Sequence, residues 1–521
     1  SASKQHRHYT KNCLHPMTLP PHVYRKEKRD LAFDTADKIL CFRDKFHSRG
    51  EPSKVEWRFY YDETNNFRRL KAGKAVKESA DGSRNVLNSL EQSFVIGGVA
   101  FATEEAEEAT RRDFDAQQFP ASVDRQSGKH ETKCKQICIG QNVIQILNNT
   151  RVGRVSDFLR LLDRDDVYVH VGTSNAFFYY IVSEIVQKLT WILGTDDKGI
   201  DYSFSHFLED VLYDTVRDDK VWFMETLRCW GYPSMDCAPD IRKFCDALEK
   251  HVESAGDSTL CGYSIKRYPE SWYKLGRLLR HVAVKCIRIG ESSDERLRIG
   301  SGDEYIVDSL CDFYWAPCLV WYPSSHHVFD EEKTVKEKLE SLLPEGTIVN
   351  GEMRNSADDT MIQVSDIWVG LYAKYEKLLD DYVAKIILPN YSVNPRHISM
   401  EGAMREIVAR IEAEKARLEV LHRVNGNRIT HNAALKGLQN ELEREVGAIV
   451  RELSLPNTDE ATKRAADAIL NQLNETGKEN IRLISRLIIK SVDADKYMYR
   501  IEDSETTHQL RMGLVKALAA S

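Results

Sequence analysis

The segment from Phe94 to Phe101 carries no polar side chain, and it limits the possible folds more than any other feature of the sequence. A strand of this composition must be covered on both faces, which predicts a central position in a sheet. Before it, Val55–Tyr61 has the aromatic and β-branched content of a strand and stops at the polar turn Asp62–Asn66. We expect a long hairpin connection between the two. Val167–Val171 predicts a further strand, followed by a buried helix.

Later segments extend this pattern and predict a mixed α/β fold. Strand-like sequence returns at Ser325–Asp330 and at Thr347–Glu352, and the apolar stretch Met361–Leu379 is typical of a helix that closes the domain. Glu131–Ile139 is a further candidate strand. Residues 102–129 are acidic and then polar, which predicts a surface excursion.

Composition bounds the function classes. The net charge of −7 (73 basic minus 80 acidic residues) argues against a protein that coats nucleic acid through its overall charge, although a local basic track remains compatible with it. The apolar runs are far shorter than the roughly 20 residues of a membrane span, and no secretory signal pattern is recognisable. Eleven cysteines without a Cys-x-x-Cys motif indicate reduced thiols. We therefore expect a cytoplasmic protein with no membrane partner.

Carboxylates at the ends of apolar segments are the strongest chemical signal. P-loop, dinucleotide-binding, serine hydrolase and His-Glu-x-x-His motifs are absent from the sequence. Asp62 and Glu63 follow one predicted strand, Asp330 follows another, and Asp366 lies within an apolar helix. Carboxylates that converge at strand ends suit Mg²⁺ or Mn²⁺, which can stabilise the oxygens of a reacting phosphodiester. Each acid taken alone is better explained as a solvated cap or turn residue.

Three short motifs carry a resemblance to a known family. They are Tyr60–Thr64, Phe94–Val99 and Ile362–Ile367, and together they resemble the prokaryotic family called domain of unknown function 3800. That family opens with Tyr-x-Asp-Glu-Ser-Gly, continues with a Gly-Gly strand and closes with a Gln-x-Ala-Asp helix. The resemblance implies an RNase H-like fold and a nuclease with a divalent metal site, associated with mobile elements or phage defence.

The resemblance also implies roles for individual residues. The metal ligands would be Asp62, Asp330 and Asp366, with Glu63 and Glu131 as further catalytic candidates, and Glu131-Thr-Lys133 looks like the family's Glu-x-Lys element. Gln363, one helical turn before Asp366, would orient it. The sequence departs from the family at three points. These are Thr64-Asn65 in place of Ser-Gly, Ser365 in place of Ala, and His170 where RNase H folds often have an acid; His170 is either a ligand or a packed imidazole.

A basic segment is a candidate nucleic-acid track. Residues 261–300 contain nine basic and four acidic side chains, a local charge of +5. The residues that would bind phosphates or stack on bases are Lys274, Arg277, Lys285, Arg288 and Trp272. The alternative is an ordinary solvated amphipathic helix.

The predicted organisation has four parts. Residues 1–54 form an N-terminal extension, 55–200 and 301–385 the RNase H-like core, 201–300 a helical insertion, and 396–521 an all-α C-terminal region. Apolar stripes between Met400 and Leu453 predict a helical hairpin that forms a homodimer, binds a protein partner or packs on the core. A competing function follows, in which a degenerate core serves as a scaffold and the helices bind another protein.

We expect the joint substitution of Lys274, Arg277 and Arg288 by Ala to weaken nucleic-acid binding. Each lost phosphate contact should reduce the log–log salt slope of binding by about one unit, because fewer counterions are released. Binding isotherms at several salt concentrations measure this slope. A slope equal to that of the wild type would assign these residues to a solvated helix.

Overall fold

A computed structural model describes a large part of the chain. The described residues are 36–49, 55–66, 69–71, 93–123, 128–149, 154–182, 219–229, 259–260, 263–264, 304–306, 309–387, 459–492 and 505–521, with single positions at 213, 216 and 247. The proposed nucleic-acid residues Lys274, Arg277, Lys285, Arg288 and Trp272 lie outside them, as does the predicted hairpin between Met400 and Leu453.

A five-stranded mixed sheet forms the centre. Its strands are β1 (Arg58–Thr64), β2 (Phe94–Phe101), β3 (Val167–Ser174), β4 (His326–Asp330) and β5 (Gly351–Arg354). They are arranged in the order β5-β4-β1-β2-β3, with β4 parallel to both β1 and β5 and with β2 antiparallel to β1 and β3. Every residue of β2 is buried, as its apolar sequence predicts.

Helices cover the sheet. They are α1 (Ala36–Arg49), α2 (Glu104–Gln117), α3 (Cys134–Ile137), α4 (Val143–Asn148), α5 (Val155–Leu162), α6 (Lys220–Cys229), α7 (Asp312–Ala316), α8 (Lys333–Leu342), α9 (Thr360–Tyr382), α10 (Asp459–Leu470), α11 (Glu475–Lys490) and α12 (Glu505–Ala520). Among the described helices none is long and apolar enough to cross a membrane. The mixed sheet together with these helices confirms the predicted mixed α/β fold class.

The C-terminal helices belong to the same hydrophobic core as the sheet. Side chains of α10, α11 and α12 pack in one cluster with α9 and with β1, β2 and β3. The Tyr375 and Ser485 hydroxyls are 2.8 Å apart, and the fully buried Arg511 donates to Asp380 at 2.8 Å. These contacts tie α11 and α12 to the second half of α9.

Two sequence predictions about the segment after β2 are wrong. Residues 104–117, predicted as a surface excursion, form α2, which begins at the Thr103 cap. Its buried Glu107 accepts hydrogen bonds from Arg58 at 2.5 Å and from Tyr60 at 2.7 Å. A charged residue at a buried position weakens the apolar periodicity by which a helix is recognised in a sequence. The predicted strand Glu131–Ile139 is extended only at His130–Glu131.

Helix α3 replaces the rest of that predicted strand. Gln136 Oε1 accepts from the Lys133 backbone N–H at 2.5 Å, and the Gln136 N–H donates back to the Lys133 carbonyl at 2.9 Å. This reciprocal pair starts the helix. The strand predicted at Thr347–Glu352 is displaced toward the C-terminus and occupies Gly351–Arg354. The helix predicted after β3 is described only as far as Val182, over Phe178–Val182 with π-helical geometry.

Two buried histidines lie on the face of the sheet opposite α9. The His327 Nε2–H donates to the Tyr322 carbonyl at 3.1 Å, and its Nδ1 accepts from the Tyr61 hydroxyl at 2.9 Å. The His170 Nε2–H donates to the Tyr60 carbonyl at 2.9 Å. Burial lowers the pKa of His327 to about 4 and that of His170 to about 3. His170 is therefore a packed, neutral imidazole.

These histidines predict a loss of stability in mild acid. An unfolded histidine has a pKa near 6.5, so the unfolded chain takes up protons below that pH while the folded chain does not. The stabilisation is complete above about pH 6.5 and declines as the pH falls toward the folded pKa. For His327 the decline between pH 7 and pH 5 amounts to about 2 kcal/mol.

Urea unfolding of the wild type and of His327→Gln at both pH values isolates this effect. We expect the variant to be less stable at pH 7 but to lose about 2 kcal/mol less on acidification, because the other titrating groups are common to both proteins. Equal losses in the two proteins would contradict the assignment.

Candidate active site

Asp62 lies in β1, two residues before the strand ends, on the face that α9 covers. Its side chain is buried, with 6% exposure, and its Oδ1 accepts from the Glu63 backbone N–H at 2.6 Å. Helix α9 approaches this part of the sheet closely because β2 has glycine there. A Cβ placed on Gly98 would lie 2.1 Å from Ser365 Oγ and 2.3 Å from the Tyr60 carbonyl oxygen. Gly98 thus allows Ser365, and with it Asp366, to lie beside β1.

Asp366 is held from the opposite side by the start of α3. Its Oδ2 accepts from the Cys134 backbone N–H at 2.6 Å. Gln363 was predicted to orient Asp366, but its side chain forms hydrogen bonds with other groups. Its Oε1 accepts from the Thr132 N–H at 3.0 Å and its Nε2 donates to the Ser356 carbonyl at 2.9 Å. Gln363 therefore joins the segment before α3 to the loop after β5.

Asp330 and Glu131 are linked through Ser356. Asp330 Oδ1 accepts from the Ser356 N–H at 3.0 Å, and the Ser356 hydroxyl donates to Glu131 Oε1 at 2.5 Å. Lys133 Nζ lies 2.5 Å from Glu131 Oε1 and 3.3 Å from Ser356 Oγ. The structure therefore gathers Asp62, Asp330, Asp366 and Glu131, here called the carboxylate cluster, from β1, β4, α9 and the segment before α3.

The electrostatics of the carboxylate cluster reflect this convergence. Burial raises the pKa of Asp62 well above its usual range, and the charges of Asp366, Asp330 and Glu63 raise it further. Burial also raises the pKa values of Asp330 and Asp366, and the negative charge of Glu131 acts on both in the same direction. Like charges brought together in a buried site disfavour ionisation, and a nearby cation relieves this cost.

Lys133 supplies such a cation. Burial alone lowers its pKa, but the bond to Glu131 and the charges of Asp366 and Asp62 outweigh burial, and the net effect is a raised pKa. The sequence motif Glu131-Thr-Lys133 contained this signal, because residues two apart in an extended segment point to the same side. Sequence reasoning did not rank Lys133 among the site residues.

Glu63 differs from the other predicted acids. Its Oε1 accepts from the Asn66 side chain at 3.2 Å, within the turn after β1. It adds negative charge near Asp62 from the turn after β1. His170 packs on the other face of the sheet and contributes no ligand at this site.

The donor set suits a hard divalent ion. All four members of the carboxylate cluster offer oxygen, and their buried charges favour a cation. The side chains as they stand form no finished shell: within the described part of the chain, no group of three or more His, Cys, Asp or Glu has the arrangement of a metal site. Binding an ion would require the carboxylates to turn toward it.

Two positions at which the sequence differs from the motifs that it resembles have a structural explanation. Asn65, where the family has glycine, adopts the left-handed conformation with φ of 57°, which asparagine tolerates better than most residues. Its Nδ2 donates to the Ser93 carbonyl at 2.9 Å. Ser365, where the family has alanine, lies with its hydroxyl 2.9 Å from the Met361 carbonyl and 3.1 Å from that of Tyr60. Both replacements are therefore compatible with the site.

Comparison with known proteins gives no match. No family model matches the chain, and neither a curated protein nor a solved structure is significantly similar to it.

The turn after Asp62 yields a stability prediction. Asn65→Gly and Asn65→Ala both lose the bond to Ser93, but only alanine has to bear the cost of the left-handed conformation. We expect Asn65→Ala to be less stable than Asn65→Gly by about 1 kcal/mol, measured by urea unfolding. An alanine variant as stable as the glycine variant would contradict the conformation assigned to residue 65.

Proposed function

We propose that this protein is a divalent-metal-dependent nuclease that hydrolyses phosphodiesters of DNA or RNA. The observation that carries the proposal is the carboxylate cluster itself. Four acids that lie far apart in the sequence meet in one largely buried place, and burial raises the pKa values of three of them. Like-charged groups that are gathered in one place and have perturbed pKa values are typical of functional sites, since stability alone does not favour them.

The residues divide into ligands and supports. Asp62, Asp330 and Asp366 would hold Mg²⁺ or Mn²⁺, with Glu131 beside them. A bound divalent ion supplies charge stabilisation for the oxygens of the reacting phosphate. The supports are backbone groups: the N–H of Cys134 fixes Asp366, and the N–H of Ser356 fixes Asp330. These two bonds restrain Asp366 and Asp330 near the place where an ion would bind, and the carboxyl groups would turn from there to complete its shell.

An RNase H-like core is part of the proposal. The family resemblance implies acids on the first strand, on a later strand and on the closing helix, all at one metal site. In this protein Asp62 lies in the second half of β1, Asp330 ends β4 and Asp366 lies on α9, beside the mixed sheet. This agreement supports the RNase H-like assignment. A role in prokaryotic defence or in a mobile element extends the proposal by the same resemblance.

A second candidate function is a catalytically degenerate scaffold. The observation that favours it is the absence of a finished metal shell among the described residues, together with the ion pair of Lys133 and Glu131. Under this alternative, the helical regions would bind a protein partner. Incubation with labelled single- and double-stranded DNA and RNA, with Mg²⁺, with Mn²⁺ and with chelator, separates the two functions.

Asp62→Asn tests the nuclease directly. The substitution keeps the side-chain shape but removes the charge that an ion needs, so we expect cleavage to fall by at least about 10³-fold. The free energy of unfolding should stay constant or rise, because the buried charge of Asp62 is unfavourable.

Asp358→Asn is the matched control. Asp358 is an exposed aspartate near the N-terminus of α9 that pairs with Lys129, outside the carboxylate cluster. We expect it to cleave like the wild type. Retained cleavage in Asp62→Asn would refute the assignment, and a chain that cleaves no substrate under any metal condition would favour the scaffold.

A further inference from the structure

Lys133 is fixed by its neighbours on both sides. The N–H of Thr132 donates to the Gln363 side chain at 3.0 Å, and the N–H of Cys134 donates to Asp366 at 2.6 Å. Both acceptors belong to α9. Because the backbone is anchored before and after Lys133, its side chain has a defined direction. Its ammonium reaches Glu131 at 2.5 Å and Ser356 at 3.3 Å.

The Lys133 side chain also reaches the surface. The Lys133 side chain is 33% exposed, whereas that of Glu131 is 6% exposed. A cation at the boundary between buried carboxylates and water is placed where a polyanionic substrate would arrive. Other cations nearby have different partners: Arg354 and Arg111 both pair with Asp359, and Lys129 pairs with Asp358.

We propose that Lys133 serves as the second cation of the carboxylate cluster, so that the site takes one divalent ion instead of two. The catalytic part of this inference rests on the proposed nuclease function. Glu131 Oε1 already lies against the ammonium and accepts from the Ser356 hydroxyl, whereas the three aspartates are bonded to uncharged backbone N–H groups and are the better ligands for an ion. A second divalent ion at Glu131 would meet the positive charge of Lys133 directly.

The role follows from charge. In hydrolysis the oxygen of water bonds to phosphorus while the bond to the leaving oxygen breaks, one water proton passes to solvent, and the leaving oxygen takes up a proton. Negative charge grows on the phosphate oxygens during this exchange. The Lys133 ammonium keeps its protons and stabilises that charge by hydrogen bonding, which is the task of the second ion in two-metal sites.

Calorimetric titration of the full chain with Mn²⁺ tests the inference independently of activity. We expect one Mn²⁺ per wild-type chain. Lys133→Met leaves the cluster without its ammonium and should bind Mn²⁺ at least tenfold more tightly, while cleavage falls by at least a hundredfold. Lys133→Arg keeps the charge and should stay within threefold of the wild-type affinity.

Lys129→Met is the control, since Lys129 precedes Lys133 by four residues but pairs with the exposed Asp358. It should match the wild type in both measurements. Two Mn²⁺ ions per wild-type chain would overturn the inference, as would an unchanged affinity in a folded Lys133→Met. If Lys133→Met does not fold, the number of Mn²⁺ ions bound per wild-type chain decides: one supports the inference and two overturn it.

The two proposals fail in different ways. One bound Mn²⁺, tighter in Lys133→Met, without cleavage of any nucleic acid would refute the nuclease but keep Lys133 as the resident cation. Cleavage with two bound ions would keep the nuclease and refute the role of Lys133. A wild type that binds no Mn²⁺ at millimolar concentration would overturn both.

Discussion

The contact between Gly98 and Ser365 sets how closely α9 lies against the sheet. Any side chain at position 98 would collide with Ser365 Oγ and with the Tyr60 carbonyl, so a larger residue there would push α9 away from β1. Asp366 directly follows Ser365, and Asp62 lies two residues beyond Tyr60 on the same strand. Close packing at one glycine thus determines whether two carboxylates from distant parts of the chain face each other.

This proximity has a cost in stability that the surrounding structure offsets. Buried carboxylates that repel one another favour separation, yet backbone N–H groups of Cys134 and Ser356 and the ammonium of Lys133 hold them in place. Hydrogen bonds to ionised groups contribute more than neutral ones. A bound divalent ion would relieve the remaining repulsion between the carboxylates, as the proposed function requires.

The central strands and the closing helix could be predicted from sequence because their patterns are local. Phe94–Phe101 is apolar throughout, and α9 spans the predicted Met361–Leu379. The helix after β2 could not be predicted because its buried Glu107 is paired with the Arg58 guanidinium and hydrogen-bonded by the Tyr60 hydroxyl, partners about fifty residues away. Lys133 was overlooked for a similar reason: its role depends on Gln363 and Asp366, which only the fold brings near.

Helix α9 connects the carboxylate cluster to the C-terminal helices α11 and α12. Its first half carries Gln363 and Asp366, while its second half carries Tyr375 and Asp380, which contact α11 and α12. A rigid helix transmits position along its length, so the packing of α11 and α12 helps to fix α9 over the sheet. Arg511 is fully buried and pairs with Asp380, whose side chain is 31% exposed, so loss of Asp380 would remove a charge partner from a buried guanidinium and destabilise this packing. The C-terminal helices are therefore part of the structure that positions the carboxylate cluster.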